Sequence, residues 1–80
     1  MSILAVEVEL LAVDASCDDD SLTVVLADGR EITVPLEWSP RLQKATSIER
    51  QDWRFIGGGV GIHWEAIDED ISVESLLRLK

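Results

Sequence analysis

Leu22-Thr23-Val24-Val25-Leu26-Ala27-Asp28-Gly29-Arg30-Glu31-Ile32-Thr33-Val34-Pro35-Leu36 is the stretch on which the fold turns. Leu22, Val24 and Leu26 alternate with polar or smaller residues before Asp28-Gly29, and Ile32, Val34 and Leu36 alternate after it. That period of two marks two half-buried strands joined by a hairpin. Register decides the loop. A two-residue Asp28-Gly29 loop would set Val24 opposite Thr33 and Leu26 opposite Glu31, mixing apolar and polar faces. A three-residue loop, Ala27-Asp28-Gly29, sets Val24 opposite Ile32 and Leu22 opposite Val34. A one-residue slip turns a whole strand over, so the longer loop is expected. Gly29 then takes the left-handed position of a bulged turn. Pro35 has no N–H to give a ladder and suits the strand's end.

Outward from the hairpin, Leu4, Val6, Val8 and Leu10 alternate with Ala5, Glu7 and Glu9 and read as the first strand of a meander. The segment 14–21, small and acidic, reads as a break. Beyond Trp38 the signals turn helical. Ser39 caps a helix opening on Pro40, and Thr46 with Glu49 fits a capping box, so one broken helix or two short ones should run from about Pro40 to Asp52. Trp53-Arg54-Phe55-Ile56 reads as a strand, Gly57 to Gly61 as a turn, and Ile62-His63-Trp64 as the hairpin partner. Ser72 caps a last helix whose apolar face is Val73, Leu76 and Leu77, with Ile71 and Leu76 spaced as a hydrophobic staple. The expected fold is α+β: an antiparallel three-stranded meander, a short helical crossover, a β-hairpin and a C-terminal helix, in a single domain over residues 1–80.

Composition narrows the function. Eighty residues support one core, and an apolar fraction of 46% is that of a folded chain. Sixteen acidic against seven basic residues give a net charge of -9. That balance disfavours nucleic-acid phosphates and anionic membranes and is compatible with a basic protein partner. The basic set Arg41, Lys44, Arg50 and Arg54 is too sparse for a nucleic-acid stripe. Nothing resembles a signal peptide or a membrane span, so a cytoplasmic protein is expected. Cys17 is the only cysteine. It has no disulfide partner in the chain, and the neighbouring Asp18, Asp19 and Asp20 should disfavour its thiolate. A strand edge left open can pair with a second copy, so a homo-oligomer is a further expectation.

The densest chemistry lies between Gly57 and Ser72. The glycine run has the composition of a phosphate-cradling loop, but such loops lead into a helix and carry a lysine; this one leads into a strand, so a turn with positive backbone dihedrals explains it better. His63 should face away from Ile62 and Trp64 and bond to a carboxylate or carbonyl. Asp68, Glu69 and Asp70 precede the last helix, where carboxylates gain from its dipole. Three consecutive acids make a poor metal cage, and no cofactor is expected. Trp38, Trp53 and Trp64 read first as core residues, with an exposed one able to anchor an interface.

Taken in order, Asp28-Gly29-Arg30, Pro40-Arg41-Leu42 with Ala45-Thr46, Glu49-Arg50, Gly61-Ile62-His63-Trp64 and Asp68-Glu69-Asp70-Ile71-Ser72-Val73 with Leu76-Leu77 make the chain resemble a small bacterial family, domain of unknown function 2442. The resemblance covers roughly residues 6–78. It implies a small α+β protein without established catalytic activity. Some members are encoded beside a second small protein, an arrangement proposed to work as a toxin–antitoxin pair. Some relatives carry a separate helix-turn-helix domain for which this chain has no room, so direct nucleic-acid binding is not expected.

These readings converge on a non-enzymatic protein-interaction module, the antitoxin-like partner of a small basic protein encoded nearby. Its candidate surface is Glu7, Glu9, Asp18, Asp19, Asp20, His63, Trp64, Asp68, Glu69 and Asp70. The competing expectation is a small metal-dependent or hydrolytic enzyme using His63 with Asp68 or Asp70.

Overall fold

The structure is a computed structural model and describes residues 10–78. Two three-stranded antiparallel sheets are joined by a pair of short helices and closed by a third. In the first sheet β1 (Ala12–Cys17), β2 (Ser21–Leu26) and β3 (Glu31–Pro35) lie in that order. In the second, β4 (Trp53–Ile56), β5 (Gly61–Trp64) and β6 (Glu69–Ser72) do the same. Between the sheets run α1 (Pro40–Lys44) and α2 (Ser47–Gln51), and α3 (Val73–Arg78) ends the described chain.

The deciding hairpin has the three-residue loop. Leu22 pairs with Val34 and Val24 with Ile32. The Leu26 amide donates to the Arg30 carbonyl at 2.7 Å, and Gly29 sits at φ +94°. Leu22, Val24, Leu26 and Val34 consequently share the buried face. Pro35 ends β3, opposite Ser21.

The crossover follows its capping signals. The Ser39 hydroxyl accepts from the Leu42 amide at 3.4 Å, with Pro40 in the first helical position. Thr46 and Glu49 close the capping box in both directions, at 3.1 Å and 2.9 Å. The Ser72 hydroxyl accepts from the Ser75 amide at 3.1 Å and so caps α3.

Two strands depart from the sequence reading. Leu4, Val6 and Val8, expected as the first strand, lie outside the described residues. The described edge of the meander is β1, which begins at Ala12 and runs into the segment read as a break. A register shift between Ala12 and Asp14 hides it. The bulge buries Ala12 and Ala15, three residues apart, so the period of two is lost. The second departure is β6. Glu69 and Asp70 belong to a strand paired with Trp64 and His63, not to the opening of a helix, and α3 begins only at Val73.

One core serves both sheets: Leu22, Val24 and Leu26 from the first and Ile62 and Trp64 from the second pack with Leu36, Leu42, Val73 and Leu76. The turn from Gly57 to Val60 ties the layers together. The Ala12 amide donates to the Gly59 carbonyl at 2.7 Å, and the Val73 amide donates to the Val60 carbonyl at 2.9 Å.

Candidate functional site

The candidate surface divides between the β1–β2 loop and the turn that leads from β5 into the start of β6. In the β1–β2 loop, Asp18 Oδ1 accepts from the Asp20 and Ser21 amides, both at 2.7 Å. Those backbone bonds hold its carboxyl below the ordinary aspartate value, so Asp18 shapes the loop rather than reaching outward. Asp19 points to solvent and accepts from Arg50 Nη1 at 2.9 Å.

Arg50 is buried. Its guanidinium also donates to the carbonyls of Leu42 at 2.9 Å and Gln43 at 2.8 Å, while its own carbonyl accepts from the Trp64 indole at 2.9 Å. Cys17 is half-buried at the end of β1, and burial pushes its thiol above the usual value against the opposing pull of Arg50. Asp18 adds to that rise, so the direction agrees with the sequence reading while the main cause is burial.

The second loop joins β5 to β6. Asp68 holds a left-handed conformation at φ 51°, a place that asparagine and aspartate tolerate better than most residues. Its carbonyl accepts from Arg41, whose guanidinium lies 3.9 Å from its carboxylate. Glu69 is half-buried and accepts from the Ser39 hydroxyl at 2.7 Å. Asp70 turns to the opposite face and meets His63.

That face of the second sheet carries a charged row. Arg54 pairs across the strands with His63, and His63 with Asp70. Asp70 contacts His63 Nδ1, and Glu65 lies 3.1 Å from Nε2, with Arg54 3.8 Å from Glu65. Ile62 and Trp64 are fully buried on the other face, as expected for His63's neighbours. The hydrogen bond to Asp70, opposed by desolvation, raises the His63 pKa above its ordinary value. Both ring nitrogens are occupied.

Of the sequence candidates, Glu7 and Glu9 lie outside the described residues. Trp64 does not belong on the surface: it has no exposed area and fills the core under α2, its indole bonded to Arg50. Asp68 is not joined to His63; Asp70 is. Trp53 is half-buried, and Trp38 is the most exposed tryptophan, at 41%. Among the described residues no group of three or more His, Cys, Asp or Glu side chains could hold a metal ion. None of their helices is long and apolar enough to cross a membrane.

Sequence reasoning missed a groove. Leu22, Val34, Pro35, Leu36, Leu42, Ile71 and Leu76 line a cavity of about 210 Å³, with Trp38, Ser39, Glu69 and Ser75 completing its walls. Pro35 and Leu36 also line a neighbouring cleft bordered by Asp19, Asp20, Glu37 and Gln43. Glu69 thus stands in the wall of the apolar cavity, and Asp19 and Asp20 in the cleft beside it. Its walls come from both sheets, α1 and α3, so no contiguous motif announces it.

No curated protein matches the chain. A solved structure does: a protein of unknown function from Rhodospirillum rubrum, with a TM-score of 0.76 and 28% sequence identity, covering 88% of this chain and 87% of that one. Residues 12–80 match the family described as Protein of unknown function (DUF2442), most of the chain including both sheets and the groove, and the protein belongs to that family.

Proposed function

We propose that the protein is a non-enzymatic interaction module, the antitoxin-like partner of a small basic protein encoded nearby. The observation that carries this reading is the exposure of the acidic loops. The Asp19 and Asp68 side chains are 92% and 93% exposed although each lies beside an arginine, so their charge remains open to a partner. Complementary charge raises association rates and discriminates among partners, and exposed pairs weaken with salt. Co-expression with the neighbouring gene's product and purification over a salt series tests the reading. A complex that salt dissociates, and that Asp19→Lys with Asp20→Lys abolishes, is expected. A partner that does not co-purify, or a complex indifferent to salt and charge reversal, sinks it.

The contact between His63 and Asp70 favours a second reading, a hydrolytic or metal-assisted enzyme using that pair. Against it stands the occupation of Nε2 by Glu65: a substrate proton or metal ion would first have to displace a carboxylate. Melting temperatures unchanged by Zn²⁺ and Mg²⁺ would remove its metal-dependent form.

A further inference from the structure

The groove walled in part by Trp38 and Glu69 has the size and lining of a seat for one side chain. Its volume of about 210 Å³ is below the roughly 300–1,000 Å³ of small-molecule pockets. It is larger than an apolar cavity of about 150 Å³ that takes benzene, so a single Phe or Leu side chain fits. Buried Leu22, Leu36, Leu42 and Leu76 contribute the apolar walls.

Trp38 stands at the groove with 41% of its surface exposed, and tryptophans in such positions carry a large share of binding energy. The surroundings are negative. Glu69 is part of the wall, and Asp19, Asp20 and Glu37 border the adjoining cleft. The cation beside them, Arg50, is 8% exposed and committed to two carbonyls and Asp19.

We infer that this groove docks a basic segment of a protein partner, which inserts one large apolar side chain against Trp38 and lays flanking Lys or Arg side chains over Asp19, Asp20 and Glu37. The inference rests on reading the protein as a module for a basic partner and adds where, and by what chemistry, that partner is held. An anionic small molecule is disfavoured by the same carboxylates.

Calorimetric titration of the full chain with short synthetic peptides of equal length tests it. One peptide has Phe flanked by lysines, one replaces that Phe by Ser, and one replaces the lysines by Glu. The lysine–Phe peptide is expected to bind best, and Trp38→Ala in the protein or Ser in the peptide should weaken it about tenfold or more. Asp20→Asn with Glu37→Gln should weaken binding and flatten its salt dependence. Trp38 and Ser75 are exposed, so Trp38→Ala and the groove-filling Ser75→Arg should keep the parent's circular dichroism while both lose the peptide.

Equal binding of the Phe and Ser peptides, insensitive to Trp38, overturns the groove while leaving a basic partner standing. Binding of no basic peptide, together with no co-purifying partner, overturns both. A dimer in sedimentation that Trp38→Ala abolishes makes a second copy the occupant and overturns the inference. So does tighter peptide binding by a full chain carrying the uncharged Leu4→Ser and Val6→Ser, which would make the chain's own N-terminal residues the occupant.

Discussion

At the scale of single residues, Gly59 is the most constrained position. A Cβ built there would lie 2.5 Å from the Ala12 carbonyl oxygen and 3.1 Å from its nitrogen, and the backbone sits at φ +117°. Gly59→Ala must therefore push the turn away from β1 as well as strain the backbone, an expected loss of about 2–4 kcal/mol. Gly58→Ala in the same turn, at φ +74° with open space, should lose only about 1–2 kcal/mol. Urea unfolding of the two variants measures the gap; equal losses would show that the approach of Ala12 is unimportant. The sequence reading saw the turn, its positive dihedrals and the strand that follows. It could not see why the third glycine matters, because Ala12 is 47 positions away and distant contacts leave no local spacing signal. Trp64 was misplaced for a related reason: alternation gives two faces, and only the packing of distant residues, Leu22, Val24 and Leu26 of the first sheet among them, says which is covered.

At the scale of elements, His63 joins strands through charge. Its pKa is raised in the folded protein, chiefly by the hydrogen bond to Asp70. Below the unfolded value of about 6.5 both states hold the proton and the contribution is complete. As pH rises past that value the unfolded chain gives up its proton first, so the contribution fades and is gone above the folded pKa. Urea midpoints are therefore expected to fall in the parent as pH rises from about 6.5 through the folded pKa, and to change much less in His63→Asn. A parent without that slope, or a variant that keeps it, counts against the clamp. The partner was legible only as one of two kinds, since a histidine bonded to a carboxylate or a carbonyl was expected. Its identity was not, because Asp70 reaches His63 only through the β5–β6 pairing, and an acidic run before a serine cap reads locally as a helix opening. The β2–β3 register and all three helix caps were legible, since each depends on residues close in sequence.

At the scale of the whole molecule, Arg50 pins the crossover to both sheets, bonding Asp19 through its guanidinium and Trp64 through its carbonyl. Arg50→Met would strip the Leu42 and Gln43 carbonyls of their partner, an expected loss of about 2–6 kcal/mol at about 1–3 per unsatisfied group. At the usual stability per residue a chain of this length has about 4–12 kcal/mol in total, so the variant approaches unfolding. Asp19→Asn, at the exposed end of the same contact, should lose less than about 1 kcal/mol. Thermal unfolding of the pair decides it: similar losses would mean that the ion pair, not the carbonyl bonds, is what matters. The arginine was visible in the sequence only as one of a sparse basic set. Sheet order adds a further consequence. Among the described residues the outer strands are β1, β3, β4 and β6, each paired with another strand on one side only. Each is blunted: a bulge beside Asp14 on β1, Glu31 and donorless Pro35 on β3, exposed Arg54 on β4 and exposed Asp70 on β6. Charge, proline and bulge are the devices that keep one molecule's edge from templating the next, so the two-sheet plan resists ladder growth into fibrils from the described edges.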